Sequence, residues 1–354
     1  MNLAVSSRPI RSWFPLYAES EVPDNRSQRD IAPSDDVRLG DKPASFWTDL
    51  KASGQFAVNG LLYKNAGKKA EKSNAVHPPL LDAPKVTLED PLVIVPGWTT
   101  VPDKFDHVVG HLTADGANGG RPVYLKDGQA FGDKACLEPT EIQNSDRVFV
   151  TVFETTVDSP DVSSAQLEKA VATVKASGLE KIDVLGYSMG GLSVRKMLDD
   201  GRVTLDQVAL LGTANQGTRF GALAGYIVRR DINWAMSLGG INGAHLPAMD
   251  WLKTLDPQDP ASNPKLHALN ENLDRQLSKA SEFLSIGSKD MPTAGETLFG
   301  RVGGDGLVPA SSISLPGVPT KLLEGKGNKH HGNLPHDADV FDTLTEYYDW
   351  TVRG

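Results

Sequence analysis

The chain has 354 residues, 39% of them hydrophobic and 23% charged, which is enough material for one large α/β domain with additions. A net charge of −9, with no block of five or more basic residues, argues against a nucleic-acid partner, and "KNAGKKAEK" (Lys64 to Lys72) reads as a solvated loop. The single cysteine, Cys136, excludes an intramolecular disulfide framework and reads as structural or surface. No stretch of 18 apolar residues is present to span a membrane.

Residues 1–91 are polar and rich in Pro, Asp, Ser and Lys, and read as a partly ordered N-terminal extension. Within it "SFWTDLKASGQFAVNGLLY" holds a short helix or hairpin, with Phe46, Trp47 and Leu50 at helical spacing. Its first twenty residues lack the apolar run of a signal peptide, so the expected location is cytoplasmic, with export by a signal-peptide-independent route as the alternative.

From Leu92 to Gly354 short apolar runs alternate with helix-like segments, the pattern of an α/β fold whose mostly parallel central sheet carries helices on both faces. The expected strands are Leu92 to Val95, Val148 to Phe153, Ile182 to Leu185, Val208 to Leu211, Phe283 to Ile286 and Lys321 to Leu323. One helix sets Leu167, Ala170, Val171 and Val174 on a single stripe and stops at Gly178. A final helix aligns Val340, Phe341, Leu344, Tyr347, Tyr348 and Thr351 or Val352. Residues 219–280 break the alternation, and an excursion of that length between strands is expected to be a lid or cap.

The chemistry concentrates around "VLGYSMGG". About 0.2 Gly-x-Ser-x-Gly matches are expected by chance at this glycine content, so context must decide between a nucleophile and a buried turn serine. "KIDVL" supplies a strand before Ser188, the glycines permit a sharp turn, and "LSVRKMLDDG" supplies a helix whose N-terminus favours negative charge. A serine hydroxyl needs a base, and the base needs a carboxylate, both expected downstream in the order Ser, acid, His. "RVGGDGLVPASS" offers Asp305, with Asp290 in "SIGSKDMP" as its competitor; "KGNKHHGNLPHDADVF" offers His330, His331 and His336. The remaining histidines, His77, His107, His111, His245 and His267, read as surface or structural. An oxyanion hole is expected from the N–H groups of Met189, after the nucleophile, and of Trp98, in the loop that follows the first strand. A zinc site on the three histidines is not expected: no His-Glu-x-x-His accompanies them, and Asp337 and Asp339 read as N-terminal charges on the last helix.

These stretches, with "LLGTANQGT" after the next strand, resemble the lipase and esterase branch of the α/β-hydrolase superfamily, of bacterial triacylglycerol-lipase type. The resemblance runs in order from about Leu92 to the end, with two departures: Pro96 stands where the family's oxyanion loop has His, and Ala214 where it commonly has Pro. It implies the α/β-hydrolase fold, favours Asp305 over Asp290 for its Gly-Asp-Gly-Leu-Val loop, and favours His331, followed by a small residue and then Leu334. It implies a serine hydrolase of carboxylic esters that needs no cofactor. The apolar content of the excursion (Trp234, Met236, Leu238, Ile241, Leu246, Met249, Trp251, Leu252) favours lipid-like esters and transient contact with a lipid interface. A phospholipase, acyl thioesterase or acyltransferase would use the same triad, and a non-catalytic relative binding lipids or a partner is the reading from a different class.

Overall fold

Most of the runs expected to be strands are apolar on both sides, and this is what buries a parallel sheet between two layers of helices. In β2 (Leu92–Val95), Leu92 and Ile94 enter one core cluster while Val93 and Val95 enter the other, all four fully buried. The computed structural model describes residues 80–353 except 135–137, 255–258, 294–301 and 326–328, together with helical residues between 53 and 69. Cys136, His77 and the segment of Phe46, Trp47 and Leu50 lie outside the described residues.

In chain order the elements are β1 (Val86–Thr87), β2, α1 (Asp106–Leu112), β3 (Pro122–Lys126), β4 (Gln129–Phe131), β5 (Val148–Thr151) and α2 (Pro160–Ala176). Then follow β6 (Asp183–Tyr187), α3 (Met189–Asp199), β7 (Leu205–Leu211), α4 (Arg219–Arg229), α5 (Asn233–Gly239), α6 (Leu246–Leu252), α7 (Pro264–Glu271) and α8 (Leu273–Leu277). The chain closes with β8 (Ala280–Ser288), β9 (Met291–Pro292), β10 (Gly303–Gly304), α9 (Ala310–Ile313), β11 (Thr320–Leu323), α10 (Ala338–Tyr347) and β12 (Thr351–Val352). Eight strands form the central sheet in the order β11-β8-β7-β6-β2-β5-β3-β4, parallel throughout except at β3–β4.

All six expected strands are present, with β7 and β8 longer than their apolar cores. The β3–β4 hairpin is an addition to them, although Asp127 (φ 46°) and Gly128 (φ 77°) form the left-handed pair that a two-residue hairpin turn requires. The α2 stripe is buried as expected, and Gly178 at φ 90° follows the helix end. At the other end α10 stops at Tyr347: Asp349 (φ 52°) turns the chain, and Thr351 and Val352 are exposed and pair antiparallel with Thr87 and Val86 instead of extending the helical stripe.

The excursion between β7 and β8 folds into α4 to α8. Ile241, Met249, Trp251 and Leu252 are buried in a third cluster that also contains Met189, Leu192 and Val308. Trp251 Nε1 donates to Asp161 on α2 (2.9 Å), which pins α6 to the body. Phe56, from the N-terminal helical residues, joins the same cluster and stacks on Phe220 at 5.6 Å. Among the described residues no helix is long and apolar enough to cross a membrane.

Candidate active site

Ser188 stands between β6 and α3 with φ 55° and ψ −128°, a left-handed backbone that a non-glycine residue adopts at a cost of order 1–3 kcal/mol. Close packing enforces the turn. A Cβ on Gly190 would lie 2.5 Å from the carbonyl oxygens of Val95 and Pro96, so only glycine lets α3 start this near β2. The Ser188 N–H donates to Leu211 O (2.8 Å), tying the turn to β7. The hydroxyl is left half-exposed beyond the end of the strand, with the first turn of α3 behind it.

His331 and Asp305 come to that hydroxyl from 143 and 117 residues away. His331 Nε2 is 2.9 Å from Ser188 Oγ, and His331 Nδ1 is 2.6 Å from Asp305 Oδ2. Asp305 is fully buried; its Oδ1 accepts the N–H groups of Leu307 (2.9 Å) and Val308 (2.7 Å), and its carbonyl accepts the His331 N–H (2.7 Å). With Oδ1 occupied, Oδ2 is aimed at the imidazole, and a carboxylate there fixes Nδ1 as the protonated nitrogen and leaves Nε2 as the acceptor facing serine. Tyr187, unmarked by any motif, lies beside the ring at 5.3 Å and donates its hydroxyl to His331 O (2.9 Å).

The other candidates lie elsewhere. His330 is turned away and fully buried against Tyr63 of the N-terminal helical residues (4.3 Å between rings); its Nδ1 accepts the Gly332 N–H, and burial together with neighbouring His331 pulls its pKa down to about 4. His336 packs on His107 at 5.0 Å, and burial pulls it to about 2. Asp290 is exposed and accepts the Gly325 N–H (2.6 Å). The three histidines thus have three different neighbours, and among the described residues no group of three or more His, Cys, Asp or Glu side chains is arranged to hold a metal ion. Asp337 caps α10 by accepting from Asp339 and Val340 N–H.

Trp98 and Met189 flank the serine. Met189 is the first residue of α3, so its N–H has no acceptor within the helix. A Cβ on Gly97 would lie 2.7 Å from Ser188 Cβ and 3.1 Å from Met189 N, so the loop after β2 passes directly against the elbow despite Pro96. In that loop Thr99 N–H donates to Thr156 O (2.7 Å) and Thr100 N–H to Gly97 O (3.1 Å), while the Trp98 N–H just before them makes no backbone hydrogen bond among the described residues. Its indole reaches the excursion: Nε1 donates to His245 Nδ1 at 3.2 Å. The sequence around His245 reads as surface or structural, and nothing in it marks this contact.

An eight-stranded, mostly parallel sheet with a strained serine at a strand–helix turn and its histidine in the loop before the last helix identifies the architecture. The chain has the α/β-hydrolase fold. No family model and no curated protein matches it. Among solved structures it is similar to the product of gene lin2722 from Listeria innocua (16% identity over 73% of this chain and 93% of that one, TM-score 0.48). It is also similar to the Bacillus licheniformis lipase BlEst2 in mature form (14%, 77% and 94%, 0.47) and to the metagenomic carboxyl esterase MGS0156 (14%, 75% and 77%, 0.44). Likeness at that level supplies none of the chemistry, which is read from this chain's own side chains.

Proposed function

We propose that the protein is a serine hydrolase of carboxylic esters. The observation that supports this reading is the unbroken line from Ser188 Oγ through His331 to a buried Asp305, at 2.9 and 2.6 Å, on a backbone strained at the serine alone among its three members. A buried turn serine needs neither that strain nor a histidine with its carboxylate.

In this reading His331 Nε2 takes the Ser188 proton as Oγ attacks the ester carbonyl. Asp305 holds the ring and balances the imidazolium. The N–H groups of Trp98 and Met189 donate to the tetrahedral oxyanion. His331 then protonates the departing alcohol, and water, deprotonated by the same nitrogen, cleaves the acyl-enzyme. No cofactor enters these steps.

The substrate side of the proposal is a lipid-like ester. Among the described apolar side chains of the excursion Trp234 is largely exposed (49%) and Met236 and Leu246 are half-buried, so these groups are available to an acyl chain or a lipid interface.

A fluorophosphonate probe is expected to label the wild-type protein covalently and to leave Ser188→Ala unlabelled; equal labelling of both overturns the nucleophile. Rates on p-nitrophenyl esters from acetyl to palmitoyl test the substrate class. Rising kcat/KM with chain length is expected, and a steep preference for acetyl overturns the lipid-like part alone.

A further inference from the structure

The Trp98 N–H belongs to the peptide unit Gly97–Trp98, so its direction depends on two torsions, one of them at a glycine. Gly97 cannot be stiffened by a side chain, because a Cβ there would lie 2.7 Å from Ser188 Cβ and from Tyr187 O. Glycine is also the residue least able to hold one backbone conformation on its own. Beyond Trp98 the loop does not relax either: Thr99, β-branched, sits at φ 53°. Within the loop that peptide is held by one bond, from the Thr100 N–H to its carbonyl, Gly97 O (3.1 Å), and a second restraint on the direction of the Trp98 N–H can come only through the Trp98 side chain.

That side-chain restraint comes from the excursion. His245 closes the short turn Gly243–His245, which Asn242 caps through its side chain on the Ala244 N–H (2.9 Å), and leads straight into α6, itself pinned to Asp161 through Trp251. His245 is 8% exposed, its Nδ1 accepts the Trp98 indole N–H at 3.2 Å, and its ring meets the indole edge-to-face at 5.4 Å and 82°. Burial holds the imidazole below its usual pKa, so at neutral pH the ring is uncharged, with the proton on Nε2 and Nδ1 free to accept. A surface or purely structural histidine has no need of that one acceptor atom.

We infer that His245 is a positioning residue: by anchoring the Trp98 side chain it fixes the peptide whose N–H stabilises the oxyanion, so the excursion completes the active site as well as packing beside it. The inference rests on the ester-hydrolase reading above.

Steady-state kinetics on a p-nitrophenyl ester test it with three variants. His245→Leu keeps bulk and removes the acceptor. His245→Asn keeps an acceptor at the δ position. Trp98→Phe keeps a ring and the backbone N–H but removes the indole donor. A donor displaced from a developing oxyanion lowers the rate by about 10- to 100-fold, so His245→Leu and Trp98→Phe are each expected to lose kcat by that factor with KM little changed. His245→Asn is expected to recover kcat to within about threefold of wild type. The double variant Trp98→Phe/His245→Leu should be no slower than either single one, because both break the same bond. A structural role for His245 would instead lower the melting temperature of both His245 variants alike and leave kcat per folded molecule unchanged.

Additive losses, or a His245→Leu enzyme with wild-type kcat, overturn the inference. Should His245→Leu fail to fold, Trp98→Phe alone decides, since wild-type kcat there is equally fatal. A wild-type protein that no fluorophosphonate labels is a different failure, that of the hydrolase reading itself.

Discussion

Asp305 has its two oxygens assigned before the histidine arrives. Because Oδ1 is held by the N–H groups of Leu307 and Val308, an asparagine there must keep its carbonyl on that side and turn its NH₂ toward His331. The ring then has to present Nδ1 as acceptor and Nε2–H toward serine, the tautomer that cannot take its proton. Asp305→Asn is expected to lower kcat by about 10³- to 10⁴-fold with the melting temperature nearly unchanged, and a loss under tenfold contradicts the assignment. Gly212 gives a subtler handle: at φ 60°, its Cβ would lie 3.2 Å from His331 Cε1 and 3.3 Å from Asp305 Oδ2, so Gly212→Ala should crowd the His331–Asp305 pair and lower kcat while leaving all three triad residues chemically intact. Ser188 and Asp305 are legible in the sequence because their loops have characteristic glycines. The choice of His331 over His330 and His336 is favoured in the sequence only through the family resemblance, since all three share one loop. It depends on how the turn from His331 to His336 points each ring, and that follows from burial of His330 and His336 against partners far away in the chain.

The helix behind the nucleophile is anchored by a group that no motif announces. Arg195, on α3, is fully buried, and its guanidinium donates to Gln276 Oε1 (2.9 Å), Asn215 Oδ1 (3.2 Å) and Asn270 Oδ1 (2.7 Å). These are neutral oxygens, and burial pulls the arginine pKa down to about 9. Asn215 lies in the segment "GTANQGT", and Asn270 and Gln276 lie on α7 and α8, so one side chain ties α3 to β7's exit and to the excursion. Arg195→Met leaves the buried side-chain carbonyls of Asn215 and Gln276, and the half-buried one of Asn270, without their donor and is expected to cost about 3 kcal/mol in urea unfolding, against under 1 kcal/mol if the contacts are incidental. Strands and helices are legible wherever apolar periodicity is strong, as in β2 and α2. The β3–β4 hairpin escapes that signal because its mark is a turn dipeptide, and α10 reads too long because Tyr348, Thr351 and Val352 continue its spacing after the helix has ended.

At the scale of the molecule, buried titrating groups make stability depend on pH in two opposed ways. His330 and His336 have folded pKa values of about 4 and 2, below the ordinary 6.5, so their contribution is present above pH 6.5 and lost as the unfolded chain takes up protons that the folded one refuses. Asp183, on β6, is raised to about 7, chiefly by burial, so its contribution is full below pH 3.8 and lost as pH rises through 7. His336→Phe is therefore expected to flatten the decline in stability between pH 6.5 and 4. Asp183→Asn, which can still accept the Gln207 N–H, should gain about 2 kcal/mol over wild type at pH 8 and nothing at pH 3.5; equal gains at both values would show that folding leaves the Asp183 pKa where it is in the unfolded chain. The short ladder of Val86 with Val352 and Thr87 with Thr351 sets a limit of another kind. It joins the strand before the sheet to the strand after α10, across more than 260 residues of intervening chain. During synthesis the loops of Ser188 and Asp305 emerge before His331, and His331 before β12, the partner of β1. Reactivity toward a fluorophosphonate is thus a clock for the arrival of His331, and nascent chains stalled before it should stay silent while already rich in secondary structure.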